Sequence, residues 1–296
     1  MPIRITPLTD PDRGTSSYRL AWLASDADAI PVGSAFLRLF TTEGQAHRAE
    51  LDINVHPTER RTRIGSRLFD AAAAAARDNG RRCLAAQAED GSPGDRFLAA
   101  HGFRRVLGLT YAQLTLNKAD LTALSAVVDT PHPGYRLESW YGTVPDHLAQ
   151  SFADSRRAMD DMPMDDADYG TVTWDVARVR AAARTIAERG DLLHTVVAVD
   201  TSAPSPNSIV GFTELVVPGD GKGEAQHYGT GVLPEHRGHG LGHWMKAESV
   251  LRARHDHPDL GTLITDTADS NTPMRRVNDS LGYEPTHKVL YYELTL

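Results

Sequence analysis

Apolar and polar residues alternate along much of the chain in runs typical of half-buried strands, and these runs occur in two similar sets. The predicted strands cover residues 18–24, 31–40 and 48–55 in the first half, and 194–200, 208–217 and 225–233 in the second. In each half the third strand leads through a turn into a helical pattern, from Ser66 to Asp78 or from His243 to His255. The chain therefore carries two copies of one strand-rich unit.

The similarity continues beyond these helices. Each copy has a further buried-looking strand, a short helix, a Gly-aromatic pair and a last alternating strand, which reads "GLTYAQLTL" in the first copy and "KVLYYELTL" in the second. Hairpin strands followed by a strand–turn–helix–strand crossover predict an α/β fold built on a mixed sheet, with the α+β character that early hairpins give.

The copies differ after their first strand. The first copy has only the short segment "LTDPDRGTSS" there, whereas the second has a long insert from Tyr141 to Leu193 with two helical patterns, the later one ended by Gly190. A Pro-rich segment, "DTPHP", precedes the second copy. We predict a first domain over 1–117, a linker over 118–133 and a second domain over 134–296.

Composition narrows the possible functions. Hydrophobic residues make up 41% of the chain and charged residues 24%, which is the balance of a soluble globular protein. The formal net charge is -8 and no basic stripe is evident, so we expect no nucleic-acid partner. With no leader-like or membrane-spanning run, we expect a cytoplasmic protein without a membrane partner. Cys83 is the single cysteine, which excludes an internal disulfide and a multi-cysteine zinc site.

The segment "VLPEHRGHGLGHWMKAE", Val232 to Glu248, has the pattern of an anion-binding turn. A strand, a glycine-containing turn and a helix N-terminus together aim backbone N–H groups at a negatively charged ligand. The spacing is neither that of a dinucleotide fingerprint nor that of a Walker A loop. His239 and His243 are four residues apart, but the pattern lacks the Glu of a zinc helix, and we expect no metal. A β-to-α turn without any ligand is the simpler alternative.

This loop resembles the pyrophosphate-binding loop of the GNAT acetyltransferase superfamily, whose pattern is Arg/Gln-x-x-Gly-x-Gly/Ala. Arg237, Gly240 and Gly242 match its fixed positions, and the downstream "SNTPMRRVNDSLGYEP" is similar to the superfamily's next segment. The resemblance implies two tandem GNAT-like domains that use acetyl-CoA as the acyl donor. It implies cofactor contacts from Val232, Leu233, Arg237, Gly238, His239, Gly240, Leu241, Gly242 and Asn271. Asn271 is equally suited to cap the helix that follows it.

The resemblance also implies direct transfer to an amine, which requires a general base and a proton donor for the leaving thiolate. Family members often carry a Tyr acid at the position of Asn278, so the usual acid is absent, although Asn278 can still hydrogen-bond the sulfur. We take Glu214 and His227 as candidate bases. Strand alternation predicts that Gln226, Tyr228 and Thr230 share one face and His227 the other.

The acidic and Met-containing segment "AMDDMPMDDADYG" lies in the long insert, where GNAT folds place the acceptor pocket. We expect Asp160, Asp161 and Met162 to contact the acceptor, with a solvated acidic loop as the alternative. In the first copy, Arg63 stands where the second has Gly240, and its long side chain would hinder close approach of a pyrophosphate. The first domain is therefore expected to be degenerate, with a structural or substrate-shaping role.

These observations favour an acyl-CoA-dependent N-acyltransferase that acetylates the primary amine of a small polar metabolite within a ternary complex. The alternatives are an acyl-CoA-binding pseudoenzyme or scaffold, suggested by the missing Tyr, and a nucleotide-binding domain without catalysis. Neither the identity of the acceptor nor a choice between monomer and homodimer follows from the sequence.

Overall fold

The computed structural model describes residues 3–8, 14, 16–161 and 173–296. Its strands are β1 Arg4–Leu8, β2 Ser17–Ser25, β3 Pro31–Phe40, β4 Arg48–Val55, β5 Cys83–Glu89, β6 Arg104–Thr115, β7 Tyr135–Tyr141, β8 Leu192–Asp200, β9 Ser208–Val217, β10 Gly223–Val232, β11 Leu260–Ala268 and β12 Glu284–Thr295. Its helices are α1 Ile64–Asp78, α2 Pro93–Ala100, α3 Leu121–Asp129, α4 Ala149–Ser155, α5 Val176–Glu188, α6 Leu241–Asp256 and α7 Thr272–Ser280. The α/β fold expected from the sequence is confirmed.

The described residues form two compact units. The first, unit 1, comprises residues up to Gly108 and Lys288–Leu296. Its strands lie in the order β1-β2-β3-β4-β5-β12, with β4 and β5 parallel and the other neighbours antiparallel. Apolar residues of α1, among them Leu68 and Ala72, pack on Leu37 and Ala49 of the sheet to form its core.

The second, unit 2, comprises the described residues of 109–161 and 173–287. Its strands lie in the order β6-β11-β10-β9-β8-β7, with β10 and β11 parallel. Gly211 of β9 lies under Met245 of α6, whereas its neighbour Phe212 packs edge-on against Phe152 of α4. Because successive strand residues point to opposite faces, α6 and α4 cover opposite faces of this sheet.

The spatial units differ from the sequence domains that we predicted over 1–117 and 134–296. Residues Val289–Thr295 of β12 pair with β5 in unit 1, and residues Leu109–Thr115 of β6 pair with β11 in unit 2. The last strand of each sequence copy thus lies in the sheet formed by the other copy. Both strands have the same alternating pattern, and this pattern does not say which sheet a strand joins.

The segment predicted as a linker, 118–133, contains α3. The Asp120 side chain caps this helix by accepting a hydrogen bond from the Ala123 N–H at 3.0 Å. Leu124 is buried in the core that α3 forms with α6 in unit 2. The segment is therefore a folded part of unit 2.

Candidate functional site

The turn between β10 and α6 has a defined backbone conformation. After a 3₁₀ turn at Pro234–His236, Gly238 and Gly240 take left-handed φ angles of 84° and 75°, and Gly240 caps α6. The Arg237 Nε atom donates a hydrogen bond to the carbonyl of Val232 at 2.9 Å and closes the turn. Leu233 donates its N–H to Val210 at 2.8 Å, and Leu241 opens the helix as a buried residue. Gly242 lies in the first turn of α6. The first N–H groups of an α-helix have no hydrogen-bond partner within the helix and can bind a ligand.

The histidines of this loop have packing roles. His236 Nδ1 lies 3.1 Å from the Tyr135 hydroxyl, and the His239 ring centre lies 5.5 Å from that of Tyr135. Within the residues that the structure describes, no group of three or more His, Cys, Asp or Glu side chains is arranged to hold a metal ion.

Next to the loop, β10 and β11 separate. Their parallel pairing ends at Gln226 and Ile264, whereas β10 runs on to Val232 and β11 to Ala268. We call the gap between residues 227–232 and 265–268 the β10–β11 cleft. Backbone groups along the edge of such a cleft need partners, and an extended ligand can supply them.

A β-bulge at Tyr228 interrupts β10 beside the narrow end of this cleft. His227 pairs with Leu215 and Gly229 with Glu214, which leaves Tyr228 as the extra residue. The bulge shifts the alternation, so the prediction that Thr230 shares a face with Gln226 and Tyr228 is wrong. The Thr230 hydroxyl instead bonds to that of Thr213 at 2.7 Å, on the face where Leu215 also points.

On the α6 face of the cleft lies a buried group of polar side chains, which we call the Lys246 cluster: His227, Lys246, Thr265, Thr267, Asn278 and Tyr283. The Lys246 ammonium donates to Asn278 Oδ1 at 2.7 Å and lies 3.4 Å from the Thr265 hydroxyl and 4.9 Å from the centre of the Tyr283 ring. Asn278 donates its amide to the Thr267 hydroxyl at 3.0 Å. His227 Nε2 lies 2.8 Å from the Tyr283 hydroxyl.

Burial governs the protonation of this cluster. It lowers the pKa of Lys246 to about 7, holds the pKa of His227 well below its usual value and raises the pKa of Tyr283. His227 and Tyr283 are therefore neutral at physiological pH, and Lys246 is the cluster member that titrates there.

The opposite face of the sheet carries a cavity of about 500 Å³. Its walls come from α4 and the turn after it, from α5 and from β7 to β10, and they include Phe152, Arg156, Met159, Trp174, Glu214 and Tyr228. The buried guanidinium of Arg156 donates to the Glu214 carboxylate at 2.7 Å. It also lies over the rings of Phe152, Trp174 and Phe212 at 5.2, 4.5 and 4.6 Å. Tyr228 and Gly229, the bulge residues, line the same cavity.

Asp160 and Asp161, the two predicted acceptor residues that the structure describes, do not line this cavity. Asp161 accepts two hydrogen bonds from the Arg237 guanidinium, at 2.6 and 2.7 Å, and this pairing lowers the pKa of Asp161. Asp160 closes a turn by donating its N–H to the Arg157 carbonyl, and it is exposed. Met162 lies outside the described residues.

Glu214 and His227, the two candidate bases, face opposite sides of the sheet. Glu214 lines the cavity, whereas His227 belongs to the Lys246 cluster. Asn271 caps α7, because its side chain accepts a hydrogen bond from the Met274 N–H at 3.2 Å.

The first copy has a loop of almost the same backbone shape. Arg60 Nε donates to the Val55 carbonyl at 3.2 Å, as Arg237 does to Val232. Arg63 caps α1 with φ 69° and ψ 10°, close to the 75° and 4° of Gly240. The ladder between β4 and β5 also ends early, at Glu50 and Ala85. The copies therefore differ in the side chains at these positions more than in the path of the backbone.

These features agree with comparisons to known proteins. The model of the acetyltransferase (GNAT) family matches residues 7–103 and 159–283, which is more than half of the chain. The chain belongs to the GNAT acetyltransferase family. No curated protein sequence matches it.

Solved structures share the fold over nearly the whole chain. A tandem GNAT protein from the clavulanic acid biosynthesis pathway, solved without AcCoA, has a TM-score of 0.73 at 24% identity, with 96% of this chain and 84% of that chain covered. A GCN5-related N-acetyltransferase from Sphaerobacter thermophilus has a TM-score of 0.63 at 16% identity, with 96% and 82% covered. The glucosamine N-acetyltransferase region of a fungal multi-domain β-N-acetylglucosaminidase has a TM-score of 0.65 at 14% identity, with 95% and 33% covered. Among the described residues, no helix has the length and apolar character needed to cross a membrane.

Sequence reasoning missed Lys246 and Arg156. A signal for Lys246 was available, since the chain has only four lysines and this one stands between Met245 and Ala247 in a helix. Arg156 gave no such signal, because "DSRRAMDD" reads as a solvated charged segment and only its packing on three aromatic rings identifies it.

Proposed function

We propose that the protein is an N-acetyltransferase whose unit 2 transfers an acetyl group from acetyl-CoA to the primary amine of a small metabolite. The observation that carries this proposal is the β10–β11 cleft, which runs from the glycine turn at Gly240 to the bulge at Tyr228. A pyrophosphate at the turn would meet backbone N–H groups and the N-terminus of α6. The pantetheine arm would then lie along β10 and bring the thioester to the bulge.

The cavity supports a path for the acceptor from the other face. It reaches the bulge at Tyr228 and Gly229, so an amine in the cavity would approach the thioester carbon from the side opposite α6. Trp174, Phe152 and Met159 suit an acceptor with an apolar or ring-shaped body beside its amine. This cavity replaces Asp160 and Asp161 as the proposed acceptor site.

Within this arrangement we assign the general base to Glu214. Its carboxylate lines the cavity and is oriented by Arg156, whereas His227 lies on the far face of the sheet. An attacking amine forms the C–N bond and passes a proton toward Glu214, and a strand N–H at the bulge polarises the thioester carbonyl.

The proposal is tested on the full-length chain. Cutting at the predicted linker would remove β12 from unit 1 and the second part of β6 from unit 2, and neither half would keep its sheet. Calorimetric titration with acetyl-CoA is therefore made on the wild type, on Gly240→Arg and on Arg63→Gly. Gly240→Arg gives unit 2 the residue that unit 1 has at this position, and Arg63→Gly is the reciprocal control.

We expect Gly240→Arg to lower the affinity for acetyl-CoA at least tenfold, because a long side chain then stands where the pyrophosphate approaches the backbone. Arg63→Gly should leave this binding unchanged. Wild-type affinity in Gly240→Arg would contradict the assignment to unit 2. Thiol release with a panel of amines then tests transfer, and binding without release for every amine would favour the pseudoenzyme instead.

A further inference from the structure

The Lys246 cluster is a buried polar group that the fold itself does not require. The two copies of the repeat can be compared position by position, and unit 1 has apolar side chains where unit 2 has the Lys246 cluster. His227, Lys246, Asn278 and Tyr283 correspond to Leu51, Phe69, Leu98 and Phe103. Where Lys246 lies over the Tyr283 ring, Phe69 packs edge-on against Phe103 with ring centres 5.9 Å apart.

The same substitution of polar for apolar side chains extends to the fifth strand of each copy. Leu263 of β11 pairs with β10 at the position where Leu84 of β5 pairs with β4, so the two leucines are equivalent. Two and four residues further on, Thr265 and Thr267 therefore correspond to Ala86 and Ala88. A buried ammonium costs stability unless it is well paired, and an apolar group of similar size commonly stabilises the fold instead. The polar side chains of the Lys246 cluster therefore lower the stability of unit 2, and packing alone does not explain why they are there.

The cluster lies where the reacting sulfur of an acyl-CoA would be. His227 and Thr265 are the first residues beyond the last paired residues of β10 and β11, so they flank the narrow end of the cleft. Lys246 reaches this point from α6, and Asn278 reaches it from α7. Asn278 stands at the position where the GNAT resemblance implies a Tyr acid, and its shorter side chain leaves room for the Lys246 ammonium.

We propose that Lys246, oriented by Asn278, stabilises the thiolate of CoA as it leaves and supplies the proton that releases it. This inference rests on the proposed function. When the tetrahedral intermediate collapses, the C–S bond breaks and its electron pair stays on the sulfur beside the ammonium. The proton moves from Nζ to the sulfur, and the neutral amine of Lys246 takes a new proton from solvent as CoA departs. The proton lost by the acceptor amine leaves on the opposite face, through Glu214.

The protonation of Lys246 suits this role. Burial brings its pKa to about 7, and a cation within a few ångströms lowers the pKa of a thiol from about 8.5, the value for Cys, towards the same range, so the proton can pass from Nζ to the sulfur at little cost. The titratable groups around Lys246 are His227 of β10 and Tyr283, which belong to the cluster, and Asp266 of β11, which acts on Lys246 through its charge. Burial raises the pKa of Asp266 and of Tyr283 and lowers that of His227, so both His227 and Tyr283 stay neutral near pH 7.

The test uses CoA itself as the probe and needs no acceptor. The ultraviolet absorbance of the CoA thiolate is followed against pH with the full-length protein in excess, and the same titration without CoA is subtracted. An opposite charge within a few ångströms lowers a pKa by about 1–3 units, so a fraction of the bound CoA should ionise together with Lys246, near pH 7 and at least about one pH unit below free CoA. Lys246→Met should abolish this shift and retain binding of acetyl-CoA, while Lys222→Met, at an exposed lysine, should keep the shift.

Each other outcome overturns the inference. Bound CoA that ionises like free CoA would exclude a cation beside the sulfur, and this wild-type measurement decides the matter even if Lys246→Met fails to fold. A shift that persists in Lys246→Met would assign the effect to another group. In both cases binding of acetyl-CoA leaves the proposed function intact, whereas a protein that binds neither CoA nor acetyl-CoA refutes both proposals.

Discussion

The Arg156–Glu214 pair offers a direct measurement of what the cavity wall contributes to stability. Both side chains are buried, with 8% and 6% of their residues' surface exposed, and they are joined at 2.7 Å. Arg156→Met removes the cation and leaves a buried carboxylate without its partner. Breaking one side of such a pair costs about 3–5 kcal/mol, and the loss of the contacts with Phe152, Trp174 and Phe212 adds to this cost.

The assay is a double-mutant cycle in urea, followed by far-ultraviolet circular dichroism. Arg156→Met and Glu214→Leu should each destabilise the protein by about 3 kcal/mol or more, because each leaves an unpaired buried charge. The double variant should lie within about 2 kcal/mol of the wild type, because no unpaired charge remains. Single variants that cost less than about 1 kcal/mol, or a double variant that costs the sum of the two, would refute this account of the pair. Glu214→Gln keeps the shape of the side chain and removes its charge, so it tests Glu214 as the proposed general base. We expect this variant to bind acetyl-CoA like the wild type and to turn over at least about a hundredfold more slowly.

Two further predictions concern unit 1 and pH. Arg63 takes a left-handed φ of 69°, so Arg63→Gly should raise the free energy of unfolding by up to about 1 kcal/mol, and a lower urea midpoint would contradict the strain. Burial lowers the pKa of His194 to about 4, so this residue is neutral in the folded protein and takes up a proton on unfolding between about pH 6.5 and 4. Its contribution is complete above pH 6.5 and is lost as the pH falls to 4, by about 3 kcal/mol over that range. His194→Phe, which can keep the stacking on Tyr141, should reduce the pH dependence of unfolding by about one proton, and an unchanged dependence would show that His194 does not titrate in this way.

Periodicity predicted the regular elements well because each lies on a half-buried surface. The strands at Pro31–Phe40, Arg48–Val55 and Ser208–Val217 have the bounds read from the sequence, and α6 is extended by only a few residues. The prolines at 131 and 133 favoured a linker, and the helix α3 was therefore not predicted. Asp120 and the apolar residues that follow it have the pattern of a helix start. Local sequence patterns describe local structure, and here a cap was present but was outweighed by a compositional cue.

The features that sequence could not predict are those set by contacts distant along the chain. The exchange of β6 and β12 between sheets depends on which edge each strand joins, and the two strands have equivalent patterns. The bulge at Tyr228 depends on the partner strand β9, and it reversed the predicted face of Thr230. The placement of Asp161 on Arg237 likewise joins residues far apart in sequence, and charge alone had suggested an acceptor contact.

The two copies together separate what the fold needs from what the proposed chemistry needs. Both copies keep the Arg that closes the turn, the left-handed residue that caps the helix and the early end of the parallel ladder, so these features belong to the fold. In unit 2 the bulge interrupts the pairing of β10 with β9, whereas in unit 1 the equivalent strands β4 and β3 pair without interruption. The Lys246 cluster and the Arg156–Glu214 pair stand on the two faces of the sheet at that bulge. Because bulges and buried polar groups cost stability and cluster at active sites, their coincidence in unit 2 is the physical reason for assigning the transfer reaction to it.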